Sequence, residues 1–256
     1  MTLRFSSLGS GSEGNALLVQ VAGTLVMMDC GFGLAETEAR LGRAGATPSD
    51  LDAILVTHEH SDHIGGVARF ARRHGIPVWL THGTAKVLTE GALPPALRRY
   101  VDPHARFEVG DIQVMPYFVP HDAYEPVQYV FSDGNARLGV LTDTGSITAH
   151  IQQTLSGCDA LVLECNHDLD MLLNGPYPVS LKRRVAGKFG HLDNMTAASL
   201  LSVIDCGKLK HVIAAHLSRQ NNLPALATAA LAGALSCASD WVGIADQAEG
   251  FSWREI

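Results

Sequence analysis

The densest chemistry in the chain lies in one run, Thr57-His58-Glu59-His60-Ser61-Asp62-His63, where three histidines and an aspartate stand almost side by side. The run follows Ala53-Ile54-Leu55-Val56, an apolar stretch that reads as a short buried strand. It precedes Ile64-Gly65-Gly66, which reads as a turn opening a helix. Burying imidazoles without partners costs about 1–3 kcal/mol each, so packing is a poor account of them. Neutral imidazole nitrogen and carboxylate oxygen are ligands that zinc, manganese and iron all accept. His58 and His60 fall on one side of such a loop and Asp62 and His63 on the other, which suits two metal ions rather than one. The bland alternative is a histidine-rich surface loop.

The rest of the chain must position this loop. Its 256 residues suffice for one large α/β domain, and the 46% hydrophobic share is ordinary for a globular protein. No apolar run reaches transmembrane length, and the opening Met1-Thr2-Leu3-Arg4-Phe5-Ser6-Ser7 lacks the form of a secretory leader. Five scattered cysteines without C-x-x-C spacing read as reduced thiols in a cytoplasmic protein. The net charge of −7 argues against a wholly basic, nucleic-acid-coating surface but leaves room for a local basic patch. Expected strands cover Leu3–Leu8, Ala16–Val19, Leu25–Met28, Asp50–Val56, Pro77–Leu80, Phe107–Val119 as a hairpin, Gln128–Ser132, Arg137–Thr142, Ala160–Leu163 and Val212–Ala215. Expected helices cover Leu34–Ala44, Gly66–His74, Thr81–Leu88, Ile147–Leu155, Met195–Ile204 and Pro224–Leu235. Residues 91–103 read as loop and short helix, and Trp241–Trp253 as the segment closing the sheet edge.

His58-x-His60-x-Asp62-His63 after a strand, then Gly65-Gly66, resembles the motif of the metallo-β-lactamase-fold hydrolases. The early loop Gly9-Ser10-Gly11-Ser12-Glu13-Gly14-Asn15, and Tyr124-Glu125-Pro126 after His121-Asp122, resemble the YycJ/WalJ-type subgroup, which includes 5′-to-3′ DNA exonucleases. The resemblance covers nearly the whole chain and implies an αββα sandwich, two mixed β-sheets flanked by helices, as a single domain over residues 1–256. It implies that His58, His60 and His121 hold one divalent metal ion, that Asp62, His63 and His216 hold another, and that Asp143 bridges them. Asp29, in Met28-Asp29-Cys30-Gly31, then orients a ligand histidine or a loop N–H from behind. Cys30 reads as a small buried thiol.

The same resemblance carries a function. Two divalent ions can share a hydroxide as nucleophile and clamp a substrate oxygen. Against two carboxylates and that hydroxide they leave about one net positive charge, which suits a phosphodiester. Glu164 and Gly190-His191 resemble a pair in the phosphodiesterase branch that includes transfer-RNA 3′-processing nucleases, where the histidine, oriented by the glutamate, helps to protonate the leaving alkoxide. Asp62 is counted with the catalytic residues as well as the ligands. Phosphate contacts are expected from Ser10, Ser12 and Asn15 in the early loop, from Ser218, Asn221 and Asn222 after His216, and from Lys182 in the run Lys182-Arg183-Arg184. Asp193 stands where the subgroup pattern has a serine. The expectation is a dinuclear phosphodiesterase with zinc or manganese, or else iron, acting from the 5′ end on DNA that carries a 5′ phosphate. The alternatives are hydrolysis of a small thioester, lactone or cyclic phosphodiester, and a non-catalytic metal-binding regulator.

Overall fold

In the computed structural model, which describes residues 2–89 and 91–256, the described strands form two sheets of seven. The first holds β1 (Leu3–Gly9), β2 (Ala16–Val21), β3 (Thr24–Met28), β4 (Ala53–Leu55), β5 (Val78–Leu80) and β6 (Arg98–Tyr100) in that spatial order. The second holds β7 (Phe107–Val109), β8 (Ile112–Phe118), β9 (Val127–Ser132), β10 (Arg137–Leu141), β11 (Ala160–Glu164), β12 (His211–Ala215) and β13 (Gly243–Ile244). The last strand, β14 (Phe251–Glu255), crosses back to lie antiparallel beside β1. Each sheet begins as an antiparallel meander and continues as parallel strands, β3 to β6 in one and β10 to β13 in the other. Parallel strands end on a common edge, so loops leaving those ends gather on one side of the molecule.

Three apolar layers hold the sheets. Between them lie Phe5, Val19, Val26 and Leu55 from the first sheet against Val114, Tyr129, Phe131, Val162 and Ile213 from the second. The outer face of the first sheet buries α1 (Leu34–Arg43) through Leu41, and α3 (Val67–His74) through Val67, Phe70 and Ala71. The short α2 (Ser61–Ile64) and α4 (His82–Ala85) cap strand ends on that half. The outer face of the second sheet buries α5 (Ala149–Leu155) through Ile151 and Leu155. Beyond α6 (Leu169–Asn174) and α7 (Val179–Val185), the same layer takes in Ala197 and Leu200 of α8 (Asn194–Leu201) and Leu231 of α9 (Pro224–Leu235). This is the αββα sandwich. Tyr129 also ties the sheets together, its hydroxyl donating to the Val56 carbonyl at 2.8 Å, just before the histidine loop.

Several boundaries differ from the sequence reading. The strand expected from Asp50 starts at Ala53, because Thr47 and Asp50 close a capping box around a single 3₁₀ turn, Pro48–Asp50. Residues 98–100 form β6 rather than loop or helix, since pairing with Val78–Leu80 decides their conformation. Thr81–Leu88 yields only one turn of helix, α4. Trp241–Trp253 closes both sheets, β13 one edge and β14 the other. The short α6 and α7, absent from the sequence reading, cross the edge where the parallel strands of the second sheet end. No described helix is long and apolar enough to cross a membrane.

Candidate metal centre

The histidine loop is zipped to the end of β3 before any ligand is considered. The Cys30 N–H donates to the His63 carbonyl at 2.9 Å, and the Gly66 N–H to the Cys30 carbonyl at 2.8 Å. The Asn15 N–H donates to the Asp62 carbonyl at 2.8 Å. So close an approach requires glycine: a Cβ at Gly31 would lie 1.9 Å from the Asp62 carbonyl oxygen, and one at Gly66 1.9 Å from that of Phe32. Asp29, in the left-handed region at φ 62°, accepts from the Thr57 N–H at 2.9 Å and from the Thr57 hydroxyl. Its Oδ2 also accepts from His63 Nδ1–H at 2.8 Å.

Four imidazoles of the cluster follow this pattern, with one ring nitrogen tied outward and the other turned to the centre; in the fifth, His60, Nε2 lies 3.8 Å from Asp122 Oδ1. His58 Nδ1 lies 2.9 Å from the Thr57 hydroxyl, whose proton goes to Asp29, so Nδ1 is the donor and Nε2 keeps its lone pair. His121 Nδ1 donates to the Gly190 carbonyl at 3.1 Å, and its Nε2 stands 3.2 Å from His60 Nδ1. His216 Nδ1 lies 3.3 Å from Glu164 Oε1, while its Nε2 lies 3.4 Å from Asp62 Oδ2 and 3.5 Å from Asp143 Oδ1. His63 Nε2 lies 3.4 Å from Asp62 Oδ2 and 3.3 Å from Asp143 Oδ2. His58, His60 and His121 bring ligand atoms within 4.8 Å of one another, and so do Asp62, His63 and His216. Asp143 lies in groups with members of both sets.

Two buried atoms in this cluster, His58 Nε2 and Asp143 Oδ2, have no hydrogen-bond partner. Buried polar atoms are nearly always satisfied, and these two are a lone pair and an anionic oxygen pointed at the same space. The charges say the same. Burial works against charge on His63, yet the Asp143 and Asp29 carboxylates outweigh it and hold its pKa well above the usual imidazole value. Burial likewise opposes charge on His216, and Asp143, Asp62 and Glu164 together raise it to about 10. Burial and the charge on His63 push His58 well below. Burial would raise the Asp143 carboxyl, but His216 and His63 hold it well below the carboxylate range. The carboxylates thus demand positive charge among them. The orphaned atoms and the mixed nitrogen and oxygen donors fit a divalent cation in that role, displacing the protons.

Beside this cluster, on the second sheet, Glu164 is wholly buried at the end of β11. Burial raises its carboxyl, but His191 and His216 prevail and lower it to about 2. Its Oε1 accepts from His191 Nδ1–H at 2.8 Å, and its Oε2 from the Thr144 and Leu192 N–H groups. His191 keeps 22% of its side chain exposed and faces a cavity of about 350 Å³. Asp62, Asp143, His60 and His216 also line that cavity, with Ser12, Ser218, Asn166, Tyr177 and Arg184.

The expected phosphate contacts divide. Ser12 and Ser218 do face the cavity. Ser10 lines it no more than Asn15 does: the Ser10 hydroxyl accepts from the His216 N–H at 2.9 Å, and so sets the backbone of that residue. The Asn15 carboxamide is buried across Gly11, Asp62 and His63 Nε2 and positions the loop instead. Asn222 is closed into a reciprocal pair with Asn194 and donates to the Cys165 carbonyl, which leaves nothing for a phosphate. Asn221 is buried against Ser218. Lys182 Nζ is turned to the Leu173 carbonyl at 2.6 Å. The cation that reaches the cavity is Arg184, two residues on and round the other side of α7, its Nε–H donating to Asp122 Oδ2 at 2.7 Å. Asn166 and Tyr177 carried no motif. Asp193 caps α8, accepting from the Met195 and Thr196 N–H groups. Cys30 is a buried thiol, pushed up to about 12 by desolvation.

A sandwich with its histidine loop and its strand-end histidines and carboxylates on one edge defines a class. Residues 24–216 match the family model described as the beta-lactamase superfamily domain. The chain is 38% identical over 229 residues to the exodeoxyribonuclease YycJ of Bacillus anthracis, covering 89% of this chain and 87% of that one. It is 31% identical over 245 residues to the exodeoxyribonuclease WalJ of Streptococcus pneumoniae serotype 2 strain D39, covering 94% and 91%. The metallo-β-lactamase fold protein YhfI of Bacillus subtilis superposes over the full length of both chains with a TM-score of 0.76 at 17% identity. The chain therefore belongs to the metallo-β-lactamase superfamily, in its YycJ/WalJ-type subgroup, and is a metal-dependent hydrolase.

Proposed function

We propose that this protein is a dinuclear metal-dependent phosphodiesterase, an exonuclease that removes nucleotides from the 5′ end of DNA. The observation that carries the reading is the Glu164–His191 pair, 2.8 Å apart at the cavity wall beside the metal ligands. Thioester hydrolysis at a metal centre, which expels a stable thiolate, has no need of a second, separately oriented imidazole. Loss of an alkoxide from phosphorus does, because the leaving oxygen is a poor leaving group until protonated. His58, His60 and His121 would hold one metal and Asp62, His63 and His216 the other, with Asp143 within reach of both sets. Bound there, divalent metal supplies Lewis acidity and an activated water at neutral pH. The protein's own part is positional: Asp29 and Glu164 fix the His63 and His216 rings, and Glu164 holds His191 with its Nε2 free to hand a proton to the departing 3′ oxygen. Ser12, Ser218 and Arg184 line the cavity where a terminal phosphate would sit.

The named activity of the two relatives supports DNA as the substrate. We also read residues 1–256 as one domain, because the layer between the sheets draws on both halves and the site uses side chains from Asn15 to His216. Five free cysteines support a reduced, cytoplasmic enzyme. The test is time-resolved cleavage of end-labelled, 5′-phosphorylated single-stranded DNA with manganese or zinc, with His191→Ala beside the parent. Stepwise loss from the 5′ end, slowed about 10²–10⁴-fold in the variant, is expected. No cleavage with metal occupancy confirmed, together with hydrolysis of a thioester or lactone, overturns the reading.

A further inference from the structure

Two large aromatic side chains stand exposed on the segments that carry the cavity-lining Asp122 and Gly190-His191. Tyr124 is 64% exposed and Phe189 60%. Their backbones are joined: the N–H of Asp122, two residues before Tyr124, donates to the Phe189 carbonyl at 3.1 Å. Phe189 immediately precedes Gly190-His191, and Tyr124 follows ligand His121 by three residues. Both segments are pinned from other directions. The Tyr124 N–H donates to Glu59 Oε1 at 2.7 Å, and Glu125 accepts from the Gly83 N–H. The His191 N–H donates to the Val185 carbonyl at 2.8 Å. The backbone is thus held while the rings face solvent. Rings presented on a fixed backbone lose little entropy when they engage a ligand.

The run just before Phe189 is basic, whereas Tyr124 has Glu59, Asp122 and Glu125 for neighbours. Lys182-Arg183-Arg184-Val185-Ala186-Gly187-Lys188 carries four cations and no carboxylate in a chain of net charge −7. Arg184 reaches the cavity and anchors on Asp122, while Arg183 and Lys188 are exposed. Exposed aromatic faces with a basic track at their side are how proteins hold single strands: the bases stack and the phosphates follow the charge.

We propose that Tyr124 and Phe189 form a stacking platform for the unpaired bases of the strand being cleaved, with the basic run of α7 tracking its phosphates. The platform rests on the nuclease reading above and narrows it to a single-stranded end. A base stacked there places the adjoining phosphodiester in the cavity and leaves its sequence unread, because every base offers a π face.

The experiment is a double cycle on the full chain loaded with manganese. The substrates are 5′-phosphorylated oligothymidylate and the same strand with tetrahydrofuran in place of its first four nucleosides. The proteins are the parent, Tyr124→Ala/Phe189→Ala and Tyr124→Phe/Phe189→Trp, each checked for an unchanged melting temperature. Removing the rings is expected to raise KM on oligothymidylate about tenfold or more, with kcat nearly kept. Removing the bases from the substrate should raise the parent's KM by the same factor. Doing both should add no further loss, and the conservative double variant should restore KM. Equal KM of the parent on the two strands, or losses that add, overturns the platform while leaving the nuclease intact. A parent that cleaves neither strand overturns the nuclease reading itself. Rings whose removal leaves KM alone but abolishes self-association in sedimentation cover a second copy of the chain, which also overturns it.

Discussion

The first sheet supplies His58, His60, Asp62 and His63 from one segment after β4, whereas the second supplies His121, Asp143, Glu164, His191 and His216 singly, from the ends of separate elements. The loop is preorganised by backbone: Cys30 to His63, Asn15 to Asp62 and Gly66 to Cys30 fix it within a few residues of the ligands themselves. The dispersed set is bonded loop to loop instead, Gly145 to Pro120, Asp122 to Phe189, Asn166 to Leu192 and Ser218 to Asn166. It relies on the parallel register of β10, β11 and β12 to bring Leu141, Leu163 and Ala214 level, and on strained turns just beyond. Asp143 and His216 stand at φ 53° and 55° in that set, and Asp29 at φ 62° in the other. Non-glycine residues there cost about 1–3 kcal/mol each, so the turns persist because the surrounding contacts fix them. A buried carboxylate backs the rings on each side, Asp29 behind His63 and Glu164 behind His216 and His191.

The residue that belongs to both sets gives the largest test. Asp143→Ala removes the carboxylate between them, and we expect loss of bound metal by elemental analysis and a fall in kcat of at least about 10³-fold. A variant that kept one metal and most of its activity would mean that the two sets work independently.

The paired carboxylates separate the halves more finely. Glu164→Gln leaves His191 without its acceptor, so kcat at saturating metal should fall about 10²–10⁴-fold. Asp29→Asn turns an amide toward His63 Nδ1–H, and the expected cost is about 10–100-fold in metal affinity with kcat recovered at high metal. Titrating each variant with manganese while following DNA cleavage distinguishes them. If both losses were recovered by metal, Glu164 would serve only the ligands, and the proton role of His191 would fall.

This asymmetry also governs what can be read from sequence. His58 to His63 is legible because backbone geometry concentrates its chemistry into one local motif. His121, Asp143 and His216 are each an ordinary polar residue after an apolar strand, and they acquire meaning only from the likeness to a family. Side chains whose partners come from distant elements were read wrongly or missed. Nothing local tells that Asn222 closes on Asn194, that Ser10 holds His216 across more than two hundred residues, or that Arg184 rather than Lys182 meets the cavity. β6 failed for the same reason, since Arg98-Arg99-Tyr100 is a strand by virtue of its neighbour β5.

Removing the metals should expose the same contrast in dynamics. Chelation is expected to lower the melting temperature, since a metal at a hundred times its Kd stabilises by about 2.7 kcal/mol. Amide exchange should then rise first at residues 119–124 and 189–193, whose backbone bonds join one loop to another, and last at 60–66, which is bonded to the end of β3. Equal deprotection of both segments would show that the zipper does not preorganise the loop.

The smallest effect concerns Asp193, which replaces the serine of the subgroup pattern. Its Oδ1 accepts from the Met195 and Thr196 N–H groups at 2.9 Å, and its Oδ2 from the Thr196 hydroxyl. Both oxygens therefore serve the start of α8, and neither lines the cavity. Serine caps a helix about as well as aspartate, so Asp193→Ser should shift stability by less than about 1 kcal/mol. What remains of the charge at the substrate is screened at ordinary ionic strength, where the Debye length is about 8 Å. KM for 5′-phosphorylated DNA should then be nearly unchanged at physiological salt and fall slightly at low salt. A severalfold fall in KM at physiological salt would place this carboxylate in the field of the bound phosphate. The dispersed half would then hold a charge that tunes substrate as well as a cap that holds a helix.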